Sequence, residues 1–66
     1  MNMRGSRIRK FRNYLLISQQ QLSNLTKIPK YRLGRIEREE VEMTINELLS
    51  ISEHLQITPK DIVVEI

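Results

Sequence analysis

Apolar side chains recur along this chain at steps of three and four, the spacing that gathers them on one side of an α-helix. Ile8, Phe11, Leu15 and Leu16 follow that step, while Arg4, Arg7 and Lys10 fall largely outside it. A first helix is therefore predicted from about residue 4 to residue 16. Ser18 with Gln21 three positions on is a capping box, in which hydroxyl and amide close two open backbone N–H groups at a helix start. It opens a short helix over about residues 19–26, with Leu22 and Leu25 expected to face inward. A brief turn through Lys27 and Ile28 leads to Pro29, whose missing N–H is harmless in a first turn. The next helix should span about residues 29–38 and bury Leu33 and Ile36. Thr44 with Glu47 is a second capping box, and Ile45, Leu48, Leu49, Ile51 and Leu55 make the apolar side of the helix it opens. Thr58, Pro59 and Asp61 give a third start, with a cap, a proline and an acid at the positive end of the helix dipole. The β-branched run at residues 62–66 suits either a last helical turn or a strand. The pattern predicts an all-α fold of four or five helices.

With 66 residues the chain is expected to form one domain, residues 1–66. A domain so small buries only about 60% of its unfolded surface. It has no cysteine, so neither disulfides nor a cysteine-based zinc site can stabilise it. Helix packing, oligomerisation or both must do so. No apolar run approaches the roughly 20 residues of a membrane span, and the polar, basic start lacks the apolar segment of a secretory signal. The expectation is a soluble, cytoplasmic protein.

Net charge of +3 changes this picture less than its distribution does. Ten of the eleven basic residues (all but Lys60) precede residue 39, among them a single acid, Glu37. The other seven acids follow. Positive charge confined to one half suits a polyanion, with nucleic acid the leading partner and an anionic membrane surface the alternative. Two short helices joined by a tight turn, the second basic, make a helix-turn-helix between Ser18 and Arg38. His54 is the one histidine and has no neighbours that suggest a ligand set. There is no glycine-rich phosphate loop, no pair of catalytic carboxylates and no nucleophile–base arrangement. No enzyme activity, metal or cofactor is expected.

A longer pattern sits in register with the helix-turn-helix. Ile17-Ser18-Gln19-Gln20-Gln21-Leu22-Ser23, then Ile28, Leu33 and Arg35-Ile36-Glu37-Arg38, then Leu48-Leu49-Ser50-Ile51 and Leu55, resembles the phage-repressor and Cro (XRE) family. The resemblance runs without a gap from Ile8 to Ile62. It implies a compact lambda-repressor-like domain acting on double-stranded DNA in a bacterial or phage-infected cell. Gln19, opening the second helix beside its cap Ser18, would contact a phosphate through its side chain and backbone amide, as an anion suits a helix N-terminus. Lys30, Tyr31 and Arg35 would read base edges in the major groove, with Arg32 close by. Arg38, Lys27 and the arginines of the first helix would be phosphate or flanking contacts. Arg12, on the apolar side of its helix, would form a structural salt bridge with Glu37.

The chain departs from the family pattern at four places. Lys27 replaces the usual glycine of the turn, Pro29 the usual hydroxyl cap, Glu39 a glycine and Met43 a proline. The acids Glu39, Glu40 and Glu42 stand in a loop that family members often bring to phosphates. The resulting expectation is a sequence-specific transcriptional regulator, a repressor, binding as a homodimer. The apolar tail Ile62, Val63, Val64 and Ile66 would be its dimer contact. The alternative is an antirepressor or antitoxin-like module that uses the acidic half to bind a protein.

Overall fold

Helix starts in this protein follow the capping signals closely, as seen in a computed structural model that describes residues 2–64. After a two-residue strand, β1 (Asn2–Met3), come α1 (Gly5–Tyr14), α2 (Gln19–Thr26), α3 (Lys30–Glu37) and α4 (Ile45–His54). A 3₁₀ turn (Pro59–Asp61) and a second short strand, β2 (Val63–Val64), complete the order. Both side chains of the Ser18/Gln21 and Thr44/Glu47 boxes are bonded as the spacing requires. The Thr58 box closes a single 3₁₀ turn, not a further α-helix. The fold is all-α. Among the described residues its one sheet element is the antiparallel pairing of Asn2 with Val64 and Met3 with Val63.

α3 packs between α1 and α2, and α2 in turn packs on α4. Ile8, Leu22, Leu33, Ile36, Ile51, Leu55 and Ile62 are fully buried where these elements meet. Ile62 corrects the sequence reading of the tail. At 0% exposure it is a core residue and cannot contribute to a dimer surface. Its carbonyl accepts the Arg4 N–H at 2.9 Å, which ties the tail to the start of α1. Val63 also packs against the core, whereas Ile66 lies outside the described residues, as does the side chain of Val64.

Several leucines expected inside are outside. Leu16 is 89% exposed, Leu49 51%, Leu25 47% and Leu15 38%, and Ile45 is exposed at the first turn of α4. Leu25 and Leu49 stand roughly 100° around their helices from the buried centre. Hydroxyl residues occupy the inner positions instead. Ser23, Thr26 and Ser52 are buried, with each hydroxyl donating to a backbone carbonyl: Ile28 at 2.6 Å, Leu22 at 2.8 Å and Leu48 at 2.7 Å. Small side chains there let helices approach while leaving no polar atom unpaired.

Helices α1 to α4 each end in a left-handed residue, and none of these is glycine: Leu16 (φ 60°), Lys27 (65°), Glu39 (61°) and Gln56 (58°). Three ends share one hydrogen-bond pattern, in which the next residue's N–H reaches back to a carbonyl of the last turn. Ile17 bonds Arg12, Glu40 bonds Arg35, and Ile57 bonds Ser52, at 2.9–3.0 Å. The left-handed position lifts Leu16 off the α1 face, which explains its exposure. Gly5, by contrast, is required by packing, since a Cβ there would lie 1.9 Å from the Ile36 carbonyl oxygen. Gly5→Ala should force α1 away from α3 and lower unfolding free energy by about 3 kcal/mol or more in a urea titration. A loss within error of zero would show that α1 can shift without consequence.

Candidate nucleic-acid interface

A buried ion pair fixes the geometry of the basic face. Arg12, on α1, meets Glu37, at the end of α3, through two parallel hydrogen bonds of 2.9 Å, and both residues are buried. A third guanidinium N–H donates to the Ile17 carbonyl at 3.0 Å. On the other side, the Gln19 amide donates to Glu37 Oε1 at 3.1 Å. A planar guanidinium suits this fork, which an ammonium group would not fill. One carboxylate thus joins α1, α3 and the first residue of α2.

A polar recess opens above this network, between the start of α2 and the flank of α3. It is lined by Arg9, Ser18, Gln19, Lys30, Gly34 and Arg38. Gly34 lets the two helices' side chains converge there, a Cβ at that position lying 3.1 Å from the Arg38 guanidinium and 3.7 Å from the Gln19 amide. The Ser18 hydroxyl takes the N–H of Gln21 at 3.0 Å. The N–H groups of Gln19 and Gln20 therefore remain open at the positive end of the α2 dipole. The Gln19 amide has one more N–H beyond that given to Glu37. The recess presents open donors and cations to whatever enters it.

On α3 the residues at 30, 31, 35 and 38 share the exposed side, with Tyr31 74% exposed. Arg32 lies at the opposite edge and is engaged elsewhere. Its guanidinium forms a fork with Glu47 on α4, one bond measuring 2.9 Å, and also reaches the Glu42 carbonyl. This holds Arg32 away from the exposed face, beside which the sequence suggests a flanking contact. Lys27 projects from the left-handed turn between α2 and α3 and is exposed.

Two features of the face were not read from the sequence. Arg9 lines the recess, since its spacing of three from Arg12 puts it beside the residue that reaches Glu37. Glu40 turns back over α3, bonding Arg38 Nε at 2.8 Å and lying 3.6 Å from Arg35 Nε. Among the described residues there is no group of three metal-ligating side chains, and no helix is long and apolar enough to cross a membrane.

Residues 7–65 match the model of the Cro/C1-type HTH DNA-binding domain family. The crystal structure of the P22 c2 repressor with a synthetic operator is similar, with 30% identity, a TM-score of 0.85 and 96% of each chain covered. The solution structure of the P22 c2 DNA-binding domain is 34% identical, with a TM-score of 0.81, covering 91% of this chain and 82% of that one. The restriction-modification controller protein C.AhdI from Aeromonas hydrophila is 25% identical, with a TM-score of 0.85 and 89% of each chain covered. No curated protein sequence matched the chain. The chain belongs to the Cro/C1-type helix-turn-helix DNA-binding family and is a DNA-binding transcription regulator.

Two predictions follow from the ion pairs. Arg12→Ala would leave Glu37 charged and buried, so unfolding free energy should fall by about 3–5 kcal/mol. A loss below about 1 kcal/mol would show that water reaches the pair. The second concerns Glu47, whose carboxyl is held below the usual range, chiefly by the Arg32 hydrogen bond. Because the unfolded chain takes up that proton first, this stabilisation is complete above the unfolded value and is lost as pH falls through the folded one. Glu47→Gln keeps an acceptor for the Thr44 N–H but loses the charge. Its melting temperature should therefore fall less steeply than the wild type's between pH 6 and 3; parallel curves would assign the acid sensitivity to other groups.

Proposed function

We propose that this protein is a sequence-specific repressor that binds operator DNA as a homodimer, with α3 in the major groove. Lys30, Tyr31 and Arg35 read base edges, Arg and Lys suiting guanine O6 and N7 and Tyr31 packing on a thymine methyl. Ser18 and Gln19 hold a phosphate at the start of α2, and Lys27 and Arg38 contact the flanking backbone. The observation that carries this reading is the recess, where open N–H groups of α2, the Gln19 amide and the cations of α1 and α3 converge beside the exposed face of α3. Backbone contacts at one helix end would set the register in which the next helix meets the bases. Arg32, engaged by Glu47, serves this face by bracing α3 against α4.

Dimerisation then falls to apolar side chains outside the core, since Ile62 is committed within it. Leu25 on α2 and Ile45 and Leu49 on α4 are each about half exposed and supply such surface. The alternative of a protein-binding acidic half is weakened because Glu39, Glu40 and Glu47 are each paired internally.

Fluorescence anisotropy on duplex DNA tests the assignment. Alanine at Lys30 or Arg35 should weaken binding to a selected site by about 1–3 kcal/mol and relax preference at one base position. Lys27→Ala should weaken binding to all sequences alike and reduce the salt slope by about 0.9. Equal affinity for selected and random duplexes, or an affinity indifferent to salt, would refute the reading.

A further inference from the structure

The three acids that follow α3 have three different occupations. Glu39 turns towards α1, where its carboxylate accepts from the Ser6 hydroxyl at 2.6 Å and the Ser6 N–H at 3.3 Å, with Arg4 3.6 Å away. It caps a helix whose own N-cap, Arg4, supplies no side-chain bond. Glu42 offers its backbone carbonyl to Arg32. Only Glu40 lies over the face assigned to DNA. The left-handed Glu39 reverses the chain so that Glu40 N–H bonds the Arg35 carbonyl at 2.9 Å. From there its carboxylate meets Arg38 Nε at 2.8 Å and Nη2 at 3.4 Å, with Arg35 Nε 3.6 Å away.

All three side chains are about half exposed. Pairs so exposed contribute little to folding, and this one is not needed to hold α3, which the buried Arg12–Glu37 pair and the core already fix. The Arg38 hydrogen bond also holds the Glu40 carboxyl below the usual range. The carboxylate occupies the position on the Arg38 fork that two phosphate oxygens would take.

We infer that Glu40 makes an autoinhibitory contact, an internal substitute for phosphate that holds Arg38 and restrains Arg35 until DNA displaces it. This rests on the assignment of α3 as the DNA-reading helix. Any duplex must break the Glu40–Arg38 pair and bring phosphates near the carboxylate. That cost is the same whatever the sequence, so Glu40 lowers affinity for DNA without changing the ratio between one duplex and another.

The test is a double-mutant comparison of wild type, Glu40→Gln, Arg38→Ala and the double variant, on a random-sequence duplex and on a duplex selected by the wild-type protein. Each variant's melting temperature confirms that it is folded. Glu40→Gln should bind the random duplex about threefold more tightly at low salt. That gain should shrink as salt rises, because it is electrostatic. The selected duplex should gain by about the same factor, and both gains should largely vanish in the Arg38→Ala background. If wild type binds duplex DNA and Lys30→Ala weakens it, yet Glu40→Gln changes nothing, the inference is overturned while the assignment of α3 stands. A gain that persists undiminished without Arg38 also overturns it, since Glu40 would then act only through general charge. If no variant binds duplex DNA at low salt, the inference and the assignment both fall.

Discussion

One buried carboxylate organises the basic face of this protein. Glu37 is held by two bonds from Arg12 and one from Gln19, which brings three helices to a single point. The constraint is strict because a charge this far from water must be matched in position and in number of hydrogen bonds. It is reinforced by Gly5, where the α1 backbone runs close against the Ile36 carbonyl. Together they set how α3 lies on α1, while the Gln19 bond sets how α2 begins against α3. The recess above Glu37 has its shape because of the pair below it.

Electrostatics in the rest of the molecule follow from that arrangement. Basic residues gather on α1 and α3, and the acids that come after them in sequence fold back to pair with them one by one. Glu39 serves α1, Glu40 the outer side of α3, and Glu47 the edge of α3 that meets α4. A chain that separates its charges so cleanly in sequence thus recombines much of them in space. Lys30, Lys27 and Tyr31 stay at the surface.

Much of this was legible in the sequence, and the reasons it stopped being so are specific. Capping boxes are local, so Ser18/Gln21 and Thr44/Glu47 located the starts of α2 and α4 to the residue. The Arg12–Glu37 pair was suggested by an arginine on an apolar stripe and a lone acid in a basic half, together with the family resemblance. Periodicity failed where a leucine and a hydroxyl residue competed for the same helix. Ser23, Thr26 and Ser52 took core positions because close helix approach favours small side chains that can bond their own backbone. Ile62 was placed on a surface because an isolated β-branched run says nothing about its partner, here the core for Ile62 and β1 for the strand. Arg32 could not be told from its basic neighbours without knowing that Glu47 lay across from it. Within the candidate site, the residue types were readable, and their internal partners were not.

The central claim is that the scaffold built on Glu37 presents α3 to specific bases from two symmetry-related copies. Selection of bound duplexes from a random-sequence pool by the wild-type protein measures this most directly. The account predicts enrichment of a single motif with two inverted half-sites whose centres lie about one helical turn, roughly 34 Å, apart. A pool that stays random after repeated selection, despite retained binding, would contradict it.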